Sequence, residues 1–192
     1  MSKAIATISK TREIMEKHGY HTKKKFGQNF LTEPSIVERI AQSIPQADPL
    51  LVIEIGPGIG ALTEQLAKVA DHVIAYEIDD QLLPILADTL SEYPQVEVRH
   101  RDFLQVNLKE ELQPWIEEGY TIAVAANLPY YITTPLLFHI FESGAPIHSI
   151  TVMMQKEVAD RFCAEVSTKD YNALSVISQY RSNVKMVMKV PK

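Results

Sequence analysis

The chain has 192 residues, 46% of them hydrophobic and 22% charged, with a formal net charge of −5 at neutral pH. That is one domain with room for a sizeable core, and it lacks the long apolar run that a membrane-spanning helix needs. Cys163 is the only cysteine, which excludes an internal disulfide; with no signal peptide recognised, a reducing cytoplasm is the expected location.

The charge is unevenly placed. Residues 1–28 hold seven Lys or Arg against two Glu, whereas residues 29–192 hold twelve against twenty-two. We therefore read 1–28 as a basic N-terminal arm, helical over about Ile5 to His18, and 29–192 as the main domain. Lys23-Lys24-Lys25 is the centre of the arm. Such a cluster can contact phosphates even on an acidic protein, or it can be a solvated tail. Arg99, Arg101, Lys156 and Arg161 could extend a basic surface, but the sequence does not place them on one face.

A helix is predicted after Pro34, with Ile36, Val37 and Ile40 on one face. Leu50-Leu51-Val52-Ile53 reads as a buried strand, and Ala61 to Ala67 as a helix. Between them lies Glu54-Ile55-Gly56-Pro57-Gly58-Ile59-Gly60, where glycines permit a tight turn and close approach of a ligand. The next strand, His72 to Tyr76, ends in Glu77, 21 positions past Gly56 and close to the spacing of a carboxylate that holds ribose hydroxyls. A helix follows over Asp80 to Leu90, then a strand from Gln95 to His100 leading into Arg101-Asp102-Phe103. Glu110 to Glu118 is a short helix with Trp115 facing inward.

Thr121 to Ala126 is a further strand, followed at once by Asn127-Leu128-Pro129-Tyr130. The Asn127 side-chain oxygen and a backbone carbonyl offer two acceptors, in a turn stiffened by Pro129, and Tyr130 offers a flat face. Two acceptors and a stacking face suit the exocyclic amine of a flipped adenine; an ordinary Pro turn is the plainer alternative. A helix over Thr134 to Glu142, a strand over Ser149 to Met154, helices over Lys156 to Glu165 and Tyr171 to Tyr180, and a sixth strand over Val184 to Val190 complete the pass. Alternating strands and helices predict an α/β fold with a mostly parallel, doubly wound sheet.

Ligands of such sheets bind beyond the carboxyl ends of the strands, where Glu54, Glu77, Asp102 and Asn127 all fall. Gly56, Gly58 and Ala61 also fit the glycine pattern of nicotinamide enzymes. Glu54, however, is a poor neighbour for a pyrophosphate and a good one for a cationic ligand. No convincing metal cluster is seen.

Five ordered segments carry a resemblance: Lys25 to Leu31, Glu54 to Leu66, Asn127 to Pro135, Gln155 to Arg161 and Lys169 to Val176. The chain resembles the ribosomal RNA adenine N6,N6-dimethyltransferases from about Lys24 onward, departing at Tyr131, where many members carry Asn. The resemblance implies a Rossmann-like fold, S-adenosyl-L-methionine as cofactor, and dimethylation of two adjacent adenosines in small-subunit (16S) ribosomal RNA. It implies Asn29 and Leu31 at the methionine end of the cofactor, Gly56 touching it through the backbone, Glu77 on the ribose and Asp102 on the adenine amine. Asn127 would bridge cofactor and target, and Phe103 would lie beside the ring. Asn127, Leu128, Pro129 and Tyr130 would form the catalytic turn. Asn29 also suits a helix-entry cap, and Asp102 an ordinary turn.

The implied partners are small-subunit rRNA and the pre-30S particle, with no membrane and no metal, and a monomer in the full-length protein. Family members continue past Val190 with a further strand and a small helical domain. The sheet is therefore expected to lack its last strand, leaving Val184 to Val190 disordered or paired with another molecule. Two alternatives remain: a non-catalytic RNA-binding factor of ribosome assembly, and a nicotinamide-dependent oxidoreductase.

Overall fold

A computed structural model describes residues 4–21, 30–128 and 131–190. The described chain forms two compact units, Met1–Val152 and Met153–Lys192.

The first unit is built on five strands: β1 Leu50–Ile55, β2 His72–Glu77, β3 Val96–His100, β4 Thr121–Asn127 and β5 Ile147–Met153, whose last residue passes into the second unit. Their spatial order is β3-β2-β1-β4-β5, and β1 runs parallel to both β2 and β4, as β2 does to β3. Strand β1 is buried at all six positions, the pattern of a central strand covered on both faces. Side chains alternate along it. Leu51, Ile53 and Ile55 join Ile74, Tyr76, Ile122, Val124 and Ala126 in one core, closed by Leu112 of α5 (Leu108–Glu117) and by Leu136 and Ile140 of α6 (Thr133–Glu142). Buried Val37 and Ile40 of α2 (Pro34–Gln42) and Leu62 and Leu66 of α3 (Ala61–Leu66) serve the opposite face.

Chain direction places the carboxyl ends of the paired parallel strands at one edge. The order reverses between β1 and β4, because β2 and β3 lie on one side of β1 and β4 on the other. In open α/β sheets ligands bind at such a switch point, which here lies outside the ends of β1 and β4. Helix α4 (Leu83–Thr89) follows a 3₁₀ turn at Asp80–Leu82; Pro84 sits at its start, where a missing N–H costs nothing.

Helix α1 (Ile8–His18) belongs to the first unit, with Ile5, Ala6, Thr11, Ile14 and Tyr20 buried. It is capped by the Thr7 hydroxyl and ends at Gly19, whose φ of 58° is the left-handed turn that glycine favours.

In the second unit α7 (Lys156–Phe162) packs on α8 (Ala173–Arg181), which starts from a reciprocal Asn172–Ser175 capping box. Gln179 Nε2 donates to the carbonyls of Phe162 (3.1 Å) and Ala164 (2.8 Å). The expected sixth strand is corrected: Val184–Val190 carries no strand. Its alternating Met and Val residues fit a strand, yet no neighbour among the described residues accepts its ladder bonds. No described helix is long and apolar enough to cross a membrane.

Candidate functional site

The glycine loop leaves the end of β1 at the switch point. Gly56, Gly58 and Gly60 all have positive φ (69°, 61° and 93°), which side chains with a Cβ rarely adopt. Their surroundings differ. A Cβ on Gly58 would stand 3.0 Å from the Phe30 ring, and one on Gly60 3.1 Å from Leu90, so both glycines serve packing. Gly56 is exposed, and nothing lies within 4 Å of the corresponding point. Backbone can therefore be approached closely from outside at Gly56.

Register aligns the rest. Ile55 pairs with Tyr76 on one side and Ala126 on the other, so Gly56, Glu77 and Asn127 form the next row across the edge. Glu77 is 95% buried, and its two oxygens are held by backbone donors. Oε1 accepts from Ile78 N–H and Asp79 N–H, both at 2.9 Å, and Oε2 from Gly58 N–H at 3.3 Å. Burial pushes this carboxyl above its usual pKa, while the three N–H groups pull it back. An anionic acceptor so fixed suits a pair of vicinal hydroxyls. Ile78, missed in the sequence reading, stands 51% exposed between Glu77 and Asp79, an apolar platform beside that acceptor. Its signal was the apolar residue immediately after the strand-ending carboxylate.

Glu54 lies 1% exposed in β1. Burial raises its pKa to about 8; the Thr63 hydroxyl in the first turn of α3 opposes this and the Glu77 charge adds to it. Neither Glu54 Oε2 nor Thr63 Oγ has a hydrogen-bond partner of ordinary geometry. A pyrophosphate would keep this carboxyl protonated, whereas a cationic ligand would draw its charge out, so the spare oxygen beside the glycine loop suits a cationic ligand.

Asp102 follows β3, whose His100 pairs with Glu77. It is half-buried, and its Oδ1 caps the 3₁₀ turn Phe103–Gln105 by accepting from Leu104 N–H at 3.0 Å. Turn residue and ligand acceptor are compatible here, since a carboxylate has a second oxygen. Phe103 requires a correction. It was expected beside the ligand ring, yet it is 3% exposed in the core, edge-on to Tyr76 (5.4 Å) and His139 (5.6 Å). It opens the 3₁₀ turn that Asp102 caps, and its ring joins the core there.

Asn127 ends β4, half-buried, at the switch point. Leu128 is buried with its side chain in the core, which anchors the backbone of the turn. Leu31 lies half-buried in the segment leading into α2. Lys23, Lys24, Lys25, Asn29, Pro129 and Tyr130 lie outside the described residues. Arg99 is committed internally, to Glu97 and Glu111 and to the Tyr76 hydroxyl, and Lys156 pairs with Asp160. Among the described residues no cluster of His, Cys, Asp and Glu could hold a metal ion.

A parallel sheet with a glycine loop after β1, a carboxylate ending β2 and an Asn ending β4 at the switch point defines a Rossmann-like nucleotide-binding domain. The profile of the family "Ribosomal RNA adenine dimethylase" matches residues 19–192, and the chain belongs to that family. It is 52% identical over 190 residues to the ribosomal RNA small subunit methyltransferase A of Enterococcus faecalis, covering 99% of this chain and 64% of that protein. To the protein of the same name from Anoxybacillus flavithermus it is 49% identical over 192 residues, covering all of this chain and 65% of that one. The chain thus spans just under two thirds of the length of these relatives. Among solved structures it resembles the 23S rRNA methyltransferase ErmE (TM-score 0.63, 32% identity, 78% of this chain and 55% of that one). It also resembles a dimethyladenosine transferase from Plasmodium falciparum (TM-score 0.62, 28% identity, 75% and 50%).

Proposed function

We propose that this chain is the cofactor-binding and catalytic part of an S-adenosyl-L-methionine-dependent enzyme that dimethylates N6 of two adjacent adenosines in small-subunit ribosomal RNA. The observation that carries the reading is the row Gly56, Glu77 and Asn127 across the sheet edge, which sets an open backbone, a buried carboxyl and a strand-ending amide side by side. The relatives at about 50% identity are named small-subunit rRNA methyltransferases and the family an rRNA adenine dimethylase, which supports the reading.

The residues fit the cofactor. Glu77 would take the ribose hydroxyls, Ile78 the face of the adenine, and the spare oxygen of Asp102 its amine. Gly56 would let the methionine portion lie against the backbone, with Asn29 and Leu31 at its far end. A sulfonium beside Glu54 would lower its raised pKa and draw out the carboxylate charge that balances the cation. When bound, the cofactor supplies a methyl group on that sulfonium, already activated for displacement.

The chain's own work is positioning. The N6 lone pair of adenine is delocalised into its ring and is a poor nucleophile. The Asn127 side-chain oxygen and the Leu128 carbonyl would accept the two N6 hydrogens and favour a more pyramidal nitrogen. Burial of the Leu128 side chain holds that carbonyl in place. Tyr130 would hold the flipped base by stacking, and Pro129 would stiffen the turn. Transfer would replace the S–CH₃ bond by a bond from that methyl carbon to N6, and the extra proton would leave N6 for water. A second round needs a pocket that accepts N6-methyladenine.

We place Lys23, Lys24 and Lys25 on RNA phosphates, in an arm spanning residues 1–28, with residues 29–192 as the cofactor domain. The substrate would be the pre-30S particle in the cytoplasm, met by a full-length monomer. Calorimetry with S-adenosylhomocysteine against NAD tests the reading: binding of the former alone is expected, and binding of NAD alone would replace it with an oxidoreductase.

A further inference from the structure

Helix α1 lies outside the family match, which begins at residue 19. It is nonetheless fixed to the first unit at three points, and each lies next to the cofactor loop. At its start, Ile5 N–H donates to Glu64 Oε2 at 3.0 Å in a buried bond. Glu64 stands in the first turn of α3, four residues after Gly60, and its N–H donates to the Gly60 carbonyl. At its end, Lys17 Nζ (2.6 Å) and His18 Nε2 (2.9 Å) meet Asp88 Oδ2. The adjoining Thr89 hydroxyl donates to the Ile59 carbonyl, inside the glycine loop, at 3.0 Å.

Just past the helix, the buried Tyr20 hydroxyl donates to Asp79 Oδ2 at 3.0 Å. Asp79 is the residue whose N–H holds Glu77 Oε1. The Tyr20 ring also lies 6.3 Å from the Phe30 ring, the one that fills the space over Gly58. Glu64 stands in α3, Asp79 before the 3₁₀ turn and Asp88 in α4, and α1 with its flanking residues Ile5 and Tyr20 ties them together.

We propose that α1, with the residues flanking it, is a brace for the cofactor site, and that Tyr20, just past the helix, is the positioning residue: it holds Asp79 and Phe30, and through them Glu77 and Gly58. This rests on the reading of Glu77 as the ribose acceptor. The tie between Glu77 and the glycine loop is a single 3.3 Å bond, so small shifts of either partner matter. A brace outside the pocket stabilises the binding-ready arrangement, and linkage makes the effect mutual: a ligand that needs that arrangement must also stabilise the brace.

Two measurements test it. Amide exchange on the full chain, with and without S-adenosylhomocysteine, should show several-fold slower exchange within Ile8–His18 when ligand is bound, although α1 holds none of the ligand-binding positions. Equal exchange in both states would overturn the brace. In parallel, Tyr20→Ala should weaken S-adenosylhomocysteine binding about tenfold in the wild-type background and less than twofold in the Glu77→Ala background. A packing role alone would give equal losses in both, which would overturn the proposal. If Glu77→Ala itself leaves affinity unchanged, the ribose reading has failed instead. Should Tyr20→Ala fold poorly, Asp88→Ala releases only the exposed end of α1. An affinity loss of a few-fold then supports the brace, and an unchanged affinity rejects it.

Discussion

Gly58 donates its backbone N–H to Glu77 Oε2 at 3.3 Å, so the glycine loop after β1 is tied to the carboxylate that ends β2. One side chain thereby shapes the loop and, in the function proposed above, would also accept ligand hydroxyls. Glu77→Ala should weaken S-adenosyl-L-methionine binding by ~1–3 kcal/mol, because buried hydroxyls lose a charged acceptor. Titration calorimetry with the natural cofactor and with S-adenosylhomocysteine should show equal losses, since both carry the same ribose.

The glycines of the loop should separate by role. At Gly58 an added methyl group meets the Phe30 ring at 3.0 Å, whereas at Gly56 it meets nothing within 4 Å. Both substitutions carry the cost of a left-handed backbone, about 1 kcal/mol. Gly58→Ala should therefore lose more folding stability than Gly56→Ala in denaturant titrations. Gly56→Ala should lose more cofactor affinity than its stability loss suggests, because its methyl would occupy the opening the ligand needs.

Glu54 gives the ligand-free protein a pH dependence of definite sign. Its carboxyl titrates near 8 in the fold, above its ordinary value of 4.5. A raised carboxylate pKa means that the folded state binds the proton more tightly than the unfolded state. The associated stability is full below about pH 4.5 and is lost as pH rises through 8, at about 1.4 kcal/mol per pH unit where the difference is one proton. Glu54→Gln, which stays neutral, should match the wild type near pH 5 and be more stable at pH 9. Thermal unfolding across that range checks it; parallel curves would show that Glu54 is ionised throughout.

Replacing Lys23, Lys24 and Lys25 with Ala should weaken RNA binding and flatten its salt dependence. The slope of log affinity on log salt should fall by up to ~2–3 units, close to one for each phosphate no longer neutralised. Cofactor affinity should hardly change. An unaltered slope in filter-binding titrations would make the triplet a solvated tail.

The sequence made the frame legible because each signal was local. Leu50 to Ile53, the glycines after them and Glu77 at its fixed distance announce a strand, turn and acceptor without tertiary information. Asn127 was legible for the same reason, as a polar residue closing an apolar run. What failed depended on neighbours. Phe103 looked like a ring partner, but only the pairing of β2 with β3 and the position of His139 show that it points into the core. Val184 to Val190 has the alternation of a strand and carries none; the want of a neighbouring strand, by contrast, was expected from the resemblance. The bond from Tyr20 to Asp79 spans 59 positions, and no local pattern announces it.

The central claim is that Asn127, at the end of β4, presents the acceptor that readies an adenine amine for methylation. The direct test is transfer of labelled methyl groups from S-adenosyl-L-methionine to small ribosomal subunits lacking dimethyladenosine, comparing wild-type protein with Asn127→Ala. The comparison is made in the full-length context, at cofactor concentrations that saturate both. The account predicts label in N6,N6-dimethyladenosine with the wild type, and a rate lower by at least ~100-fold with Asn127→Ala while the fold stays intact, as expected when a positioning group is removed. A variant that transfers methyl groups at the wild-type rate would contradict it.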